Sequence, residues 1–322
     1  MSVADYEMDP QICNDPAYKD SIIHSLLSIP SLSVVTNIGY LFSHSTDSVS
    51  GGIYIYTNPP AGGLGEDWER PVSIEYLIPN SYKNFQTNCG VKLHGGHSRL
   101  PEKNPKHSFR LIFKEEYGFD ELTYPLFENS KVNEFKTLVL RAGFNNTWNH
   151  HSSSGRNRAL YVRDPWAKDT QLEMGWPAVH NRYVHLYINR LYWGLYNISE
   201  RIDRKFMESY QGGNEMDFDI VKDYTEVVDG NLDTWNEMTS KAEGGLSNNV
   251  DYMWLLGRNA DGSNNDTIKT LLNVENLIDY MIYKHFFNGG VLTHEKIIKR
   301  FNIRIREIEK AIIAESARWG DY

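Results

Sequence analysis

The chain is poor in cysteine, in net positive charge and in long apolar runs. Its two cysteines, Cys13 and Cys89, are far apart and fit no metal-ligand spacing, so neither a disulfide scaffold nor a zinc knuckle is predicted. Asp and Glu (42) outnumber Lys and Arg (33), and the formal net charge of −9 argues against nucleic acid as a partner, because a phosphate backbone asks for a basic face. No run of about 18 apolar residues occurs, so no membrane span is predicted. The opening "MSVADYEMDPQICNDPAYKD" lacks the cationic and apolar regions of a signal peptide. This leaves a cytoplasmic protein, or an internal piece of a longer precursor destined for secretion, a cell surface or a coat.

What is abundant is aromatic surface. Of 322 residues 13% are aromatic, with 20 Tyr and 8 Trp, against a hydrophobic content of 40%. A chain of this length can bury a sizeable core in one large domain or two lobes.

Alternation of apolar and polar residues predicts strands in "SLSVVTN" (31–37), "GIYIY" (52–56) and "VSIEYLI" (72–78). The apolar run of "FKTLVLRAGF" (135–144) predicts a buried strand. Tyr183–Ile188 and Leu191–Ile198 flank Asn189-Arg190, a two-residue hairpin turn. Helical spacing appears in 21–30, in 159–175 with Pro165 in the first turn and Gly175 at the stop, and in a segment that Ser199 would cap, carrying Ile202, Phe206 and Tyr210. Further helices are expected around Trp235 and Met238, over 274–287, and from Thr293, where Ile297, Phe301, Ile305, Ile308 and Ile312 form one apolar stripe.

The stretch "GVKLHGGHSRLPEKNPKHSFRLIFKEEYG" (90–118) is the most suggestive chemically. Val91 and Leu93 on one side and Phe109, Leu111 and Phe113 on the other make it a long hairpin. Gly95 and Gly96 let the backbone turn and approach a ligand, while Ser98, Arg99, Lys103, Lys106 and Arg110 add hydroxyl and cationic donors suited to phosphate. The same residues also suit a solvated hairpin tip. His94 with His97, and His150 with His151, are possible zinc ligands, but no helix fixes the first pair at metal spacing and no Cys or supporting carboxylate is close in sequence. Asp217, Asp219, Asp223 and Asp229 do not match a calcium-loop spacing.

These segments, in order, resemble the CotH family of spore-coat-protein-H kinase-like proteins. The resemblance rests on "WERPVSIEYL", the 90–118 stretch, "TLVLRAGFNNTW", "RDPWAKDTQLEMGWPA", "YVHLYINRLYWGLYNISERIDRKF" and "AIIAESARWGD", which together span roughly residues 50 to 320. It implies an α+β, atypical protein-kinase-like fold. A polar arm (1–30) would precede a β-rich nucleotide-binding lobe (31–200) and a helical lobe (201–322). It also implies ATP and Mg as cofactors and a protein substrate or coat partner. Carried onto this chain, Gly95, Gly96, Ser98 and Arg99 would cover the phosphates, and Lys106 and Arg110 would neutralise them. Glu200 would sit at the lobe junction near the base, or else serve as a helix-start carboxylate. Asp164 is expected to cap its helix.

The chain departs from the family where catalysis is expected. The acids and Asn that orient the nucleophile and hold the metal should follow a "LIDYM"-type helix, yet between Asp279 and Asp321 there is no Asp. The text resembles a family member that has lost a block between about Ile282 and Tyr283, so no catalytic or metal-binding residue is assigned and the helical lobe is truncated. The activity implied is ATP-dependent phosphorylation of Ser or Thr, impaired in this chain. The alternative is a non-catalytic structural or glycan-binding module of a coat or surface assembly, using Trp148, Tyr192 and Trp193.

Overall fold

A computed structural model of the chain describes residues 7–43, 45–53, 68–223, 225–268, 270–273, 285–287 and 289–320. Seven strands form a closed barrel: β1 (Ser31–Val35), β2 (Arg70–Leu77), β3 (Phe85–His94), β4 (Ser108–Ile112), β5 (Thr137–Arg141), β6 (Asn181–Ile188) and β7 (Leu191–Glu200). Their order around the barrel is β1-β2-β3-β4-β5-β7-β6. Every neighbouring pair is antiparallel except β1 and β6, which close the barrel in parallel with Ser31 opposite His185. Alternation decides what fills it, since successive side chains on a strand point to opposite faces. Val72, Ile74 and Tyr76 of β2, Phe109 and Leu111 of β4, Val184 and Leu186 of β6, and Tyr196 and Ile198 of β7 all join one buried cluster.

The outer face of β6 and β7 carries a second cluster, where Tyr183 and Leu195 pack with Ile29, Val162, Ile308 and Ala311. Ile29 follows α1 (Ile22–Leu26) and Val162 directly precedes α2 (Arg163–Glu173), while Ile308 and Ala311 belong to two helices near the end of the chain, which follow α3 (Arg204–Gln211), α4 (Asp233–Glu243) and α5 (Asn249–Leu255) and are numbered α6 (His294–Ile308) and α7 (Ala311–Trp319). The stripe expected on one long helix is therefore shared by two. Ile308 is buried, and Phe301, Ile305 and Ile312 are half-buried against the second cluster.

The kinase-like arrangement of a β-rich lobe followed by a separate helical lobe is not what forms. The strands of 31–200 curl into a closed barrel, and the last helix returns to it: α7 packs on β7 and on α1. Local periodicity identifies strands and helices but not which edges pair, and closure here depends on one parallel contact between strands roughly 150 residues apart. Residues before 31 also engage this core, as the Asp9 N–H donates to the Ala317 carbonyl (2.6 Å) and the Ala314 N–H to the Ser25 hydroxyl (3.0 Å).

Two compact units divide the chain. One runs to Leu172, resumes over Pro177–Arg201 and takes in Arg300 onward; the other comprises Glu173–Trp176 and Ile202–Lys299. In the second, Asp203 caps α3 by accepting from the Phe206 N–H (2.9 Å), whereas Ser199, expected in that role, lies inside β7 opposite Val139. The β6–β7 turn forms as expected, with Asn189 and Arg190 at φ 48° and 74°, the two positive values of a type I′ turn. The helix expected over 274–287 lies outside the described residues except at 285–287, as do the proposed junction at Ile282–Tyr283 and most of the 52–56 strand. No helix among the described residues is long and apolar enough to cross a membrane.

Candidate functional site

A cavity of about 260 Å³ opens at one end of the barrel unit. Four segments build it: the turn after β3 (His94, Gly95, Ser98), the end of β5 and its loop (Arg141 to Asn146), the start of α2 (Asp164, Pro165), and one face of β6 and β7 (Tyr183, Leu195, Asn197). The turn needs its first glycine. Gly95 has φ 110°, and a Cβ there would stand 2.2 Å from the Ser98 hydroxyl. Ser108 ties the two strand ends together by accepting from the Ala142 N–H (2.9 Å).

The charged groups of the cavity are Arg141 and Asp164. Arg141 Nε lies 3.1 Å from Asp164 Oδ2, and Lys168 Nζ, one helical turn along α2, lies 2.9 Å from the same oxygen. Burial would raise the Asp164 pKa, but Arg141 and Lys168 together outweigh it and hold the carboxyl below its ordinary value. Burial, followed by the Arg141 charge, pushes Lys168 down to about 8 even though Asp164 favours its charged form. Asp164 thus acts as an ion-pair partner in the first turn of α2 and not as the expected cap.

Of the seven residues expected to hold nucleotide, Gly95 and Ser98 line this cavity. Gly96 accepts from Arg99 Nε (3.3 Å), and Arg99 is buried in the same turn. Arg110 sits in β4 opposite Lys92 and Val139. Glu200 ends β7 and is buried, its Oε2 accepting from the His180 N–H (2.7 Å) and facing His180 Nδ1 (3.0 Å).

Lys106 is sequestered. Its ammonium is fully buried, donates to Glu315 of α7 and to the Leu195 carbonyl (2.7 Å), and lies over the Tyr196 ring at 4.9 Å. Burial lowers its pKa, and the Glu315 carboxylate opposes that shift. Glu315 also accepts from the Leu195 N–H (2.6 Å) and the Tyr161 hydroxyl (3.1 Å), so the network stands directly behind the cavity wall.

Sequence reasoning missed Arg141 and the asparagines of its loop. The available signal was an arginine closing an otherwise apolar strand two residues before a glycine; nothing local pairs it with Asp164 across the intervening loop. The His150 and His151 rings lie 4.2 Å apart, and among the described residues no group of three or more His, Cys, Asp or Glu is placed to hold a metal ion. Of the four aspartates in 217–229, Asp219 and Asp229 bind Arg204, and Asp217 caps a short helical turn. The aromatic residues considered for glycans are committed to packing. Trp148 stacks edge-on to Tyr161, Trp193 does so with Trp319, and Tyr192 is buried against His185.

The family model for CotH kinase proteins matches residues 91–290, 200 of the 322 residues. No curated protein matches the chain.

Proposed function

We propose a function from one premise: the chain belongs to the CotH kinase family. By resemblance, that family uses ATP to phosphorylate Ser or Thr on a protein. We read this chain as a member that takes the phosphate end of a nucleotide into the barrel cavity and transfers the phosphoryl group poorly.

The observation that carries this reading is Arg141, a guanidinium at the wall of a cavity that Gly95 and Ser98 also line. Guanidinium groups bind phosphate through paired, charge-assisted hydrogen bonds. Drug-sized ligands occupy pockets of about 300–1,000 Å³, so a cavity just below that range takes phosphates and leaves the nucleoside outside. The donor set fits an anion. It does not fit a hard divalent cation, which wants several free oxygen ligands, because the Asp164 carboxylate already serves Arg141 and Lys168. Kinase chemistry needs a metal held on the phosphates and a carboxylate that orients the attacking hydroxyl. The stretch between Asp279 and Asp321 offers no Asp for either role. Loss of such positioning costs several powers of ten in rate.

Calorimetric titration with ATP, with and without magnesium, tests the reading alongside a radiolabel transfer assay. ATP should bind with little magnesium dependence, and Arg141→Ala should weaken it by about tenfold or more, as loss of a charge-assisted contact does. Absence of ATP binding would sink the reading, and robust magnesium-dependent phosphorylation would overturn the impaired-transfer part.

A further inference from the structure

The cavity places an acceptor where an anion must sit. Asp164 lines it beside Arg141, and its side chain retains a third of its exposure. Both neighbouring cations reach Oδ2, so Oδ1 is the acceptor that remains for a ligand. An ionised carboxylate only accepts hydrogen bonds. It repels a ligand oxygen that carries no hydrogen and binds one that does.

We propose that the cavity selects a phosphate that still carries a proton over a fully deprotonated oxyanion, with Arg141 as its cation and Asp164 Oδ1 as the acceptor of the P–OH hydrogen. The proposal rests on the reading of the cavity as a phosphate site and names the protonation state of that site's ligand.

Charge supports the selection. Below the value of about 8 to which Lys168 is lowered, Arg141 and Lys168 against Asp164 leave one excess positive charge, which a singly charged phosphate neutralises. The surroundings keep Asp164 ionised: Arg141 faces it from β5 and Lys168 from its own helix. Tyr183 of β6 lies close enough to feel its charge, and Arg304 of α6 acts on Lys168. Burial keeps the Tyr161 and Tyr183 phenols protonated. They line the cavity together with His94. No other carboxylate belongs to the cavity's described lining. Asp164 is therefore the group that can tell O–H from O⁻.

Three probes separate the possible ligands. Inorganic phosphate keeps an O–H through mildly alkaline pH, a phosphomonoester loses its last one near about pH 6, and sulfate has none. Titrations of the full chain at pH 5.5 and pH 7, both below the value of about 8 for Lys168, should show inorganic phosphate binding at both values and sulfate weaker by about tenfold or more. Ethyl phosphate should bind better at the lower pH. In Asp164→Asn the amide can donate, so sulfate should approach phosphate. Equal affinity of the unsubstituted chain for phosphate and sulfate would overturn the selection while leaving the phosphate site standing. That comparison needs no variant, so it decides the matter even if Asp164→Asn fails to fold. If neither phosphate nor ATP binds, the functional reading itself fails and the selection falls with it.

Discussion

Lys106 and Glu315, 209 positions apart, form a fully buried ion pair that joins the 90–118 hairpin to the last helix. The carboxylate also receives the Leu195 N–H and the Tyr161 hydroxyl, and the ammonium donates to the Leu195 carbonyl. Such a pair is costly to break, because removing one partner leaves the other charge buried and uncompensated.

Glu315→Ala is accordingly expected to destabilise the barrel unit by about 3–5 kcal/mol, seen as a lower midpoint in denaturant. Lys106→Ala should do the same, and its effect on ATP affinity should be smaller than that of Arg141→Ala. If Lys106→Ala abolished ATP binding while leaving the denaturation midpoint unchanged, the ammonium would be a ligand contact and not a structural one.

Lys168 sets an alkaline dependence. Its pKa falls from 10.5 to about 8 on folding, so between those values the unfolded chain binds more protons and stability rises with pH. Put the other way, the stabilisation present above about pH 10.5 is lost as pH falls through about 8. Thermal melts between pH 7 and 10 should show a rising component that Lys168→Met removes. Identical slopes in both proteins would show that Lys168 titrates normally.

His185 sets an acid dependence. Its Nδ1 meets the Tyr192 hydroxyl and its Nε2 the Ser25 carbonyl, each at 2.9 Å, so the neutral ring with hydrogen on Nε2 satisfies both. Burial pushes its pKa from 6.5 down to about 4. Stability present above about pH 6.5 is therefore lost as pH falls toward 4, by as much as about 3 kcal/mol at 1.36 kcal/mol per pKa unit. Denaturant midpoints at pH 4.5 and 7 should differ less in His185→Gln than in the unsubstituted chain. An equal difference in both would assign the acid loss elsewhere, with the buried His107, also lowered to about 4, the first candidate.

The local elements were legible because their causes are local. Asn189-Arg190 between alternating runs specifies the β6–β7 turn, and the 90–118 hairpin pairs Gly90 with Ile112 and His94 with Ser108. The family, too, was legible from its motifs. Closure of the barrel was not, because the pairing of β1 with β6 leaves no mark in either segment. The site was half legible for the same reason. Gly95 and Ser98 announce a turn that suits an anion, but the guanidinium beside them comes from a different strand, and the lysine that looked free is claimed by a helix some two hundred residues later. The cap expected at Ser199 was displaced because β7 continues through that position in register with β5.

The parallel seam between β1 and β6 also sets a timetable for synthesis. At about 5–20 residues per second, the roughly 150 residues between Ser31 and its partner His185 take on the order of ten to thirty seconds to emerge. Once β2 (Arg70–Leu77) has emerged, β1 is paired on one side and keeps an open edge on the other until β6 follows. Exposed edges recruit other chains, so the nascent protein is most vulnerable to misassociation before the ribosome reaches β6. Chaperone demand should concentrate in that window.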